Sequence, residues 1–143
     1  MSISEPTPKL LSEQQIKAAP ESEYMNAEQL EFFRQRLIAL HDSTLARIQK
    51  AKEQICSPIA ASDANDRATT EEQSSIALRI VDREQKLLPK IRQSLERIRE
   101  GSYGYCIESD EPIGIARLLA RPTAEYCTEV KALKELKEHH YRD

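Results

Sequence analysis

Leu30, Phe33, Leu37, Leu40, Thr44, Ile48, Ala51 and Ile55 follow one another at spacings of 3, 4, 3, 4, 4, 3 and 4 residues. This period places all of them on one stripe of an α-helix, and the two-residue alternation of a strand cannot reproduce it. Asn26 is a good cap for the start of the helix, and Gln29 completes a capping-box-like pair. The stripe ends at "CSPIAASDANDRATT", where Pro58 and a cluster of Ser, Asp and Asn predict a turn of about a dozen residues. A second helix is predicted from near Thr70, with Gln73 as another box residue. Ile76, Ile80, Leu87, Ile91, Leu95 and Ile98 form its stripe, and Gly101 stops it. Arg83 and Glu84 interrupt this second seam. Pro89, deep inside the arm, predicts a kink, because it deletes one backbone bond and crowds the preceding turn. Two such helices make an antiparallel coiled-coil hairpin about 45 Å long. A hairpin satisfies both seams within one chain, so a monomer is expected.

Composition agrees with an all-α fold. The 143 residues include 3 Gly and no Trp, and 31% charged against 5% aromatic residues leaves little for a thick core. Residues 1–23, with Pro6, Pro8 and Pro20, are expected to form a flexible arm with one short helix around Lys9 to Ala19. Residues 24–100 form the hairpin, with its tip at 57–70. Residues 101–143 form a small finger-like domain and a C-terminal helix marked by Val130, Leu133 and Leu136. No apolar run reaches the roughly 18 to 20 residues that cross a bilayer, and "MSISEPTPKLL" lacks the basic start and apolar stretch of a signal peptide, so a cytoplasmic protein is expected. Cys56, Cys106 and Cys127 are too few and odd in number for a disulfide framework.

The net charge of -3 is unevenly spread. Residues 79–99 hold 7 Lys and Arg against 3 Asp and Glu, whereas the flanking segments are acidic. An acidic chain is poorly suited to coating DNA, so a local basic face points to a smaller anionic ligand or an acidic protein patch. Arg83, Lys86 and Lys90 stand at i, i+3 and i+7 on one side of the second helix, with Leu87 between them.

"YGYCIESDEP" begins like a zinc ribbon, yet Ser109 stands where a second cysteine belongs after Cys106. In "TAEYCTEVKA", Val130 stands where a partner of Cys127 belongs. Two thiols, a hydroxyl and a hydrocarbon do not supply the tetrahedral set a structural Zn²⁺ requires. Apolar packing by Ile107, Ile113, Ile115, Leu118, Leu119, Val130 and Leu133 is the expected substitute. For Cys106 and Cys127 three readings stay open: plain structural thiols, a redox pair, and metal binding with His139 or His140. Cys56 is expected at the core or rim of the first arm, and His41 at its edge.

"GSYGYC", "EPIGIARLLARPTAEYC" and, before them, "NDRATTEEQ" resemble the DksA family of bacterial transcription factors of the DksA/TraR type, over about Tyr24 to Lys137. That family's finger has the form C-x2-C, seventeen residues, C-x2-C. Here every spacing is kept with only the first cysteine of each pair, which resembles the zinc-independent paralogues. The resemblance implies a protein that binds RNA polymerase, enters its secondary channel with the coiled coil, and does not bind DNA. It implies destabilised promoter complexes and potentiated ppGpp control of rRNA and amino-acid promoters in the stringent response. It assigns the tip effector role to Asp63, Asp66 and Ala68, and ppGpp binding to Arg83, Lys86, Leu87, Lys90 and Lys131. No cofactor is implied beyond ppGpp as effector, and zinc is expected to be absent. No catalytic set is visible, so an enzyme is not expected. The alternatives are a Gre-like transcript cleavage or elongation factor, a thiol redox sensor using Cys106 and Cys127, and a self-associating coiled-coil scaffold.

Overall fold

The computed structural model describes residues 10–55 and 64–141, with side chains described for 10–55 and 67–138. Five α-helices are α1 (Glu13–Ala18), α2 (Ala27–Ile55), α3 (Ala64–Glu100), α4 (Ile115–Ala120) and α5 (Thr128–Tyr141). Among the described residues there is no strand, only an isolated bridge between Tyr105 and Pro112. The all-α expectation holds, and α2 and α3 make the long helical hairpin. No described helix is long and apolar enough to cross a membrane.

The chain divides into two compact units: Ile38–Gln93, and Met1–Leu37 with Ser94–Asp143. In the first, the seam of α2 follows the predicted stripe, with Thr44, Ile48 and Ala51 buried. The seam of α3 follows its predicted stripe in part, with Ile91 buried and Ile80 and Leu87 partly so. Ile76 is 48% exposed and Ala77 is fully buried in its place, followed by Glu84 and Ile91 at steps of seven residues. Glu84 thus belongs to the seam that it was expected to interrupt. Its carboxylate is stabilised there by an ion pair to Arg47 across the hairpin at 3.1 Å. Thr44, also buried, donates its hydroxyl to the Leu40 carbonyl one turn back at 2.6 Å.

α3 begins at Ala64, six residues before the predicted start, since nothing from Ala64 to Thr69 is Gly or Pro. It also runs unbroken through Pro89, whose ring is exposed. On a solvent face, the carbonyl that loses its partner can turn to water. Cys56 and Pro58 lie outside the described residues.

The second unit is built from short elements and loops. Ser12 caps α1 with a full capping box to Gln15, and the helix buries Ile16 against the region of α4. Asn26 caps α2 through Gln29 N–H at 2.9 Å, but the Gln29 side chain reaches back to the Met25 amide, not to Asn26. Gly101, at φ 83°, ends α3 as predicted, with the Ser102 amide donating to the Arg97 carbonyl at 2.9 Å in a Schellman closure.

The finger-like segment contains the short helix α4. Of the apolar residues expected to replace zinc by packing, Ile113 and Leu118 are buried, and Ile115, Leu119 and Val130 are partly so. Ile107 is 47% and Leu133 is 64% exposed, so these two do not pack as expected. Leu136 on α5 is likewise exposed. Phe33, Leu37 and Tyr103 are buried as deeply as Leu118, with the Phe33 and Tyr103 rings tilted against each other at 5.5 Å.

Candidate functional site

At the tip, Asp66 falls in the first turn of α3 and Ala68 follows it, exposed, in the second. Both lie on helix, where a loop was expected. Asp63 lies outside the described residues.

The basic face lies on α3. Arg83 and Lys86 are 76% and 74% exposed, Lys90 is exposed, and Leu87 is half-buried. Lys86 pairs with Asp82 one turn back at 3.1 Å, an exposed pair of small energetic weight that leaves the ammonium available. Arg83 Nη2 stands 3.5 Å from Glu84 Oε1, while Arg47 Nη2 holds Glu84 Oε2 and also contacts Thr44 Oγ1 at 3.1 Å. Sequence reading placed neither Arg47 nor Glu84 in this cluster. The seven-residue steps from Ala77 through Glu84 to Ile91 were the signal that could have found Glu84. Lys131 lies on α5, in the other unit, and is partly buried.

The finger-like segment holds Cys106 and Cys127 buried, with no disulfide. Ser109 Oγ is 3.6 Å from Cys127 Sγ. Burial pushes the Cys106 thiol up. The Ser109 hydroxyl and the backbone amides of Cys127, Ser109 and Glu108 outweigh this and bring it down to about 6. Two sulfurs with the Ser109 hydroxyl and the Val130 hydrocarbon do not fit a four-thiolate zinc site. Among the described residues, no three His, Cys, Asp or Glu side chains are grouped to hold a metal. His139 and His140 have no described side chains.

Polar side chains tie the loop around Cys106 to the rest of its unit. Arg97, only 9% exposed, donates from Nη2 to the carbonyls of Ser102 at 3.1 Å and Tyr105 at 2.5 Å. Tyr24 donates its hydroxyl to the Gly104 carbonyl at 2.5 Å and accepts from the Gly114 amide at 3.0 Å. Tyr103 donates to the Pro122 carbonyl at 2.7 Å. Burial raises the pKa of both Tyr24 and Tyr103, so their phenols stay protonated as donors. Gly104, at φ 90°, passes so close to Met25 that a Cβ would stand 2.7 Å from Met25 Cγ.

Two family models cover nearly all of this architecture. The N-terminal domain of the DnaK suppressor protein DksA matches residues 29–98, and the prokaryotic dksA/traR C4-type zinc finger matches residues 101–135. The chain belongs to the DksA family. A DksA relative from Caulobacter vibrioides, named RNA polymerase-binding transcription factor DksA, is 40% identical over 141 residues, covering 94% of this chain and 95% of the relative. The protein of the same name from Escherichia coli is 39% identical over 126 residues, covering 83% and 80%. The solved structure of transcription factor DksA2 from Pseudomonas aeruginosa superposes with a TM-score of 0.78 at 43% identity, covering 90% of this chain and all of that one. Against the C4-type finger of the family, the departure at Ser109 and Val130 is a property of this chain's own residues.

Proposed function

We propose that this DksA-family chain is a transcription regulator that binds RNA polymerase through the secondary channel, without binding DNA and without catalysing a reaction. In this reading it destabilises promoter complexes and potentiates ppGpp control of rRNA and amino-acid promoters, in the cytoplasm and as a monomer. The observation that carries the reading is likeness along nearly the whole chain to relatives named RNA polymerase-binding transcription factors, hairpin and finger segment together. Asp63, Asp66 and Ala68 are its tip effectors. Arg83, Lys86, Leu87 and Lys90 on α3, with Lys131 on α5, bind ppGpp. A bidentate guanidinium with several ammonium groups suits a ligand of closely spaced phosphates.

Working without structural zinc belongs to the same reading. The donor set at Cys106, Ser109, Cys127 and Val130 supports it, as do the hydrogen bonds from Arg97, Tyr24 and Tyr103 that hold the loop.

The test is the lifetime of RNA polymerase complexes on an rRNA promoter, with protein and ppGpp added in a strong zinc chelator. A marked shortening is expected. Activity only without chelator would overturn zinc independence alone, and no effect in either condition would overturn the polymerase reading. Asp66→Asn is expected to keep polymerase binding and lose the shortening; lost binding would overturn the effector role at the tip.

A further inference from the structure

We propose that Arg47, on α2, is a further polyphosphate-binding residue and that the buried Glu84 is the positioning residue that presents it beside Arg83; the inference rests on the ppGpp reading above. Glu84 is the only acidic residue among the buried polar residues described, with 8% of its side chain exposed. A carboxylate so removed from water needs cations against it. It has two, from different helices: Arg47 Nη2 at 3.1 Å from Oε2 and Arg83 Nη2 at 3.5 Å from Oε1. The two guanidiniums are therefore held on the two oxygens of one carboxyl group, no farther apart than its width and two contacts allow. Both stay open to solvent, with 45% of the Arg47 side chain and 76% of the Arg83 side chain exposed.

The charge balance favours an anion. Two guanidiniums against one carboxylate leave a net positive charge, in the basic stretch that continues to Lys86 and Lys90. A guanidinium carries five N–H donors, and among the described residues the contacts of Arg47 all use Nη2. The remaining donors suit a second acceptor group, and a phosphate takes a guanidinium fork better than an ammonium. Thr44, buried at the foot of this arrangement, gives Arg47 Nη2 a second anchor at 3.1 Å. Order imposed before binding lowers the entropy lost when the ligand arrives. The ligand class is a compact polyphosphate whose phosphate groups reach cations from both arms of the hairpin.

The experiment measures promoter-complex lifetime with RNA polymerase and the full chain across a ppGpp titration, comparing wild type, Arg47→Ala, Arg47→Lys, Arg83→Ala, and Arg47→Ala with Arg83→Ala. Arg47→Ala is expected to raise the ppGpp concentration giving half the effect about tenfold, the size of one lost charge-assisted bond. The shortening without ppGpp should stay unchanged. Arg47→Lys keeps a cation against Glu84 and guards against a folding defect; its expected rise is about threefold, for loss of the fork. The double variant should lose less than the product of the single losses, because both arginines share one carboxylate. An unchanged half-effect concentration in Arg47→Ala and Arg47→Lys, with a responding wild type, would overturn the inference and leave the ppGpp reading standing. An equal loss of the ppGpp-free effect would assign Arg47 a structural role and also overturn it. A wild type insensitive to ppGpp would overturn the parent reading, and this inference with it.

Discussion

The arm, Ile38–Gln93, and the unit of Met1–Leu37 with Ser94–Asp143 solve the same problem with different materials. In the arm the backbone largely satisfies itself, since helical amides and carbonyls bond within their own helix except at its ends and one turn before Pro89, and side chains are left to fill one seam. In the other unit, residues 101–114 have almost no regular structure. Their carbonyls need donors from elsewhere, and Arg97 and Tyr24 provide them. A seam tolerates exchange of one apolar residue for another of similar size, whereas a donor aimed at a buried carbonyl has few substitutes. The arm should therefore absorb substitutions that the loop region does not.

The sharpest test of that contrast is Arg97→Met, which keeps much of the volume and removes both hydrogen bonds. It should lower stability in urea unfolding by about 2 to 5 kcal/mol, the cost of leaving two part-buried carbonyls without partners. A loss below about 1 kcal/mol would break the comparison, since the loop would then stand on packing alone. Gly104→Ala comes next, at about 1 to 3 kcal/mol, because a side chain is strained at φ 90° and its Cβ meets Met25. Adding Met25→Ala should recover the steric part and leave the backbone part, so a full recovery in melting temperature would show that φ carries no cost here.

In the arm, Glu84→Leu replaces the buried carboxylate with an apolar residue in the seam. Its unfolding free energy should stay within about 1 kcal/mol of wild type, or rise, since desolvation offsets much of what a buried ion pair gains. A severe loss would mean that the arm, too, depends on a specific polar contact.

The smallest effect is the one at Cys106. Thiolate absorbance near 240 nm should titrate with a midpoint near 6 in wild type and move up in Ser109→Ala, which removes the hydroxyl that lowers the Cys106 thiol. The folded value is depressed below that of an ordinary thiol. Its contribution to stability is therefore complete above the ordinary thiol pKa and is lost as pH falls toward 6. The stability difference between wild type and Ser109→Ala should accordingly grow as pH rises from 6 to 9. A difference that is flat with pH would remove the serine from the account.

Much of the helical hairpin was legible in the sequence because helical burial repeats with the chain. Leu37, Thr44, Ile48 and Ala51 were assigned from spacing alone, and Gly101 from its place after the last periodic residue. The second seam was misread by one position at Ile76, because Ala77 is small and Glu84 is charged, and a search for large apolar residues passes over both. The early start of α3 was hidden by turn-forming residues that also tolerate a first helical turn, where Asp66 lies. Of the candidate sites, the basic residues Arg83, Lys86 and Lys90 were visible as a helical face, while Arg47 was not, because its relation to them runs through Glu84 from another helix.

The order of residues along the chain by itself determined the helical hairpin, the stop at Gly101 and the incomplete zinc frame at Ser109 and Val130, because each depends on neighbours within a few positions. Only the tertiary structure decided that Glu84 is buried against Arg47, that Arg97 and Tyr24 hold the loop, and that Ile107 and Leu133 face solvent. Those outcomes depend on groups far apart in sequence, such as Tyr24 and Gly114, meeting at hydrogen-bond distance. No local period encodes which distant carbonyl will lack a partner.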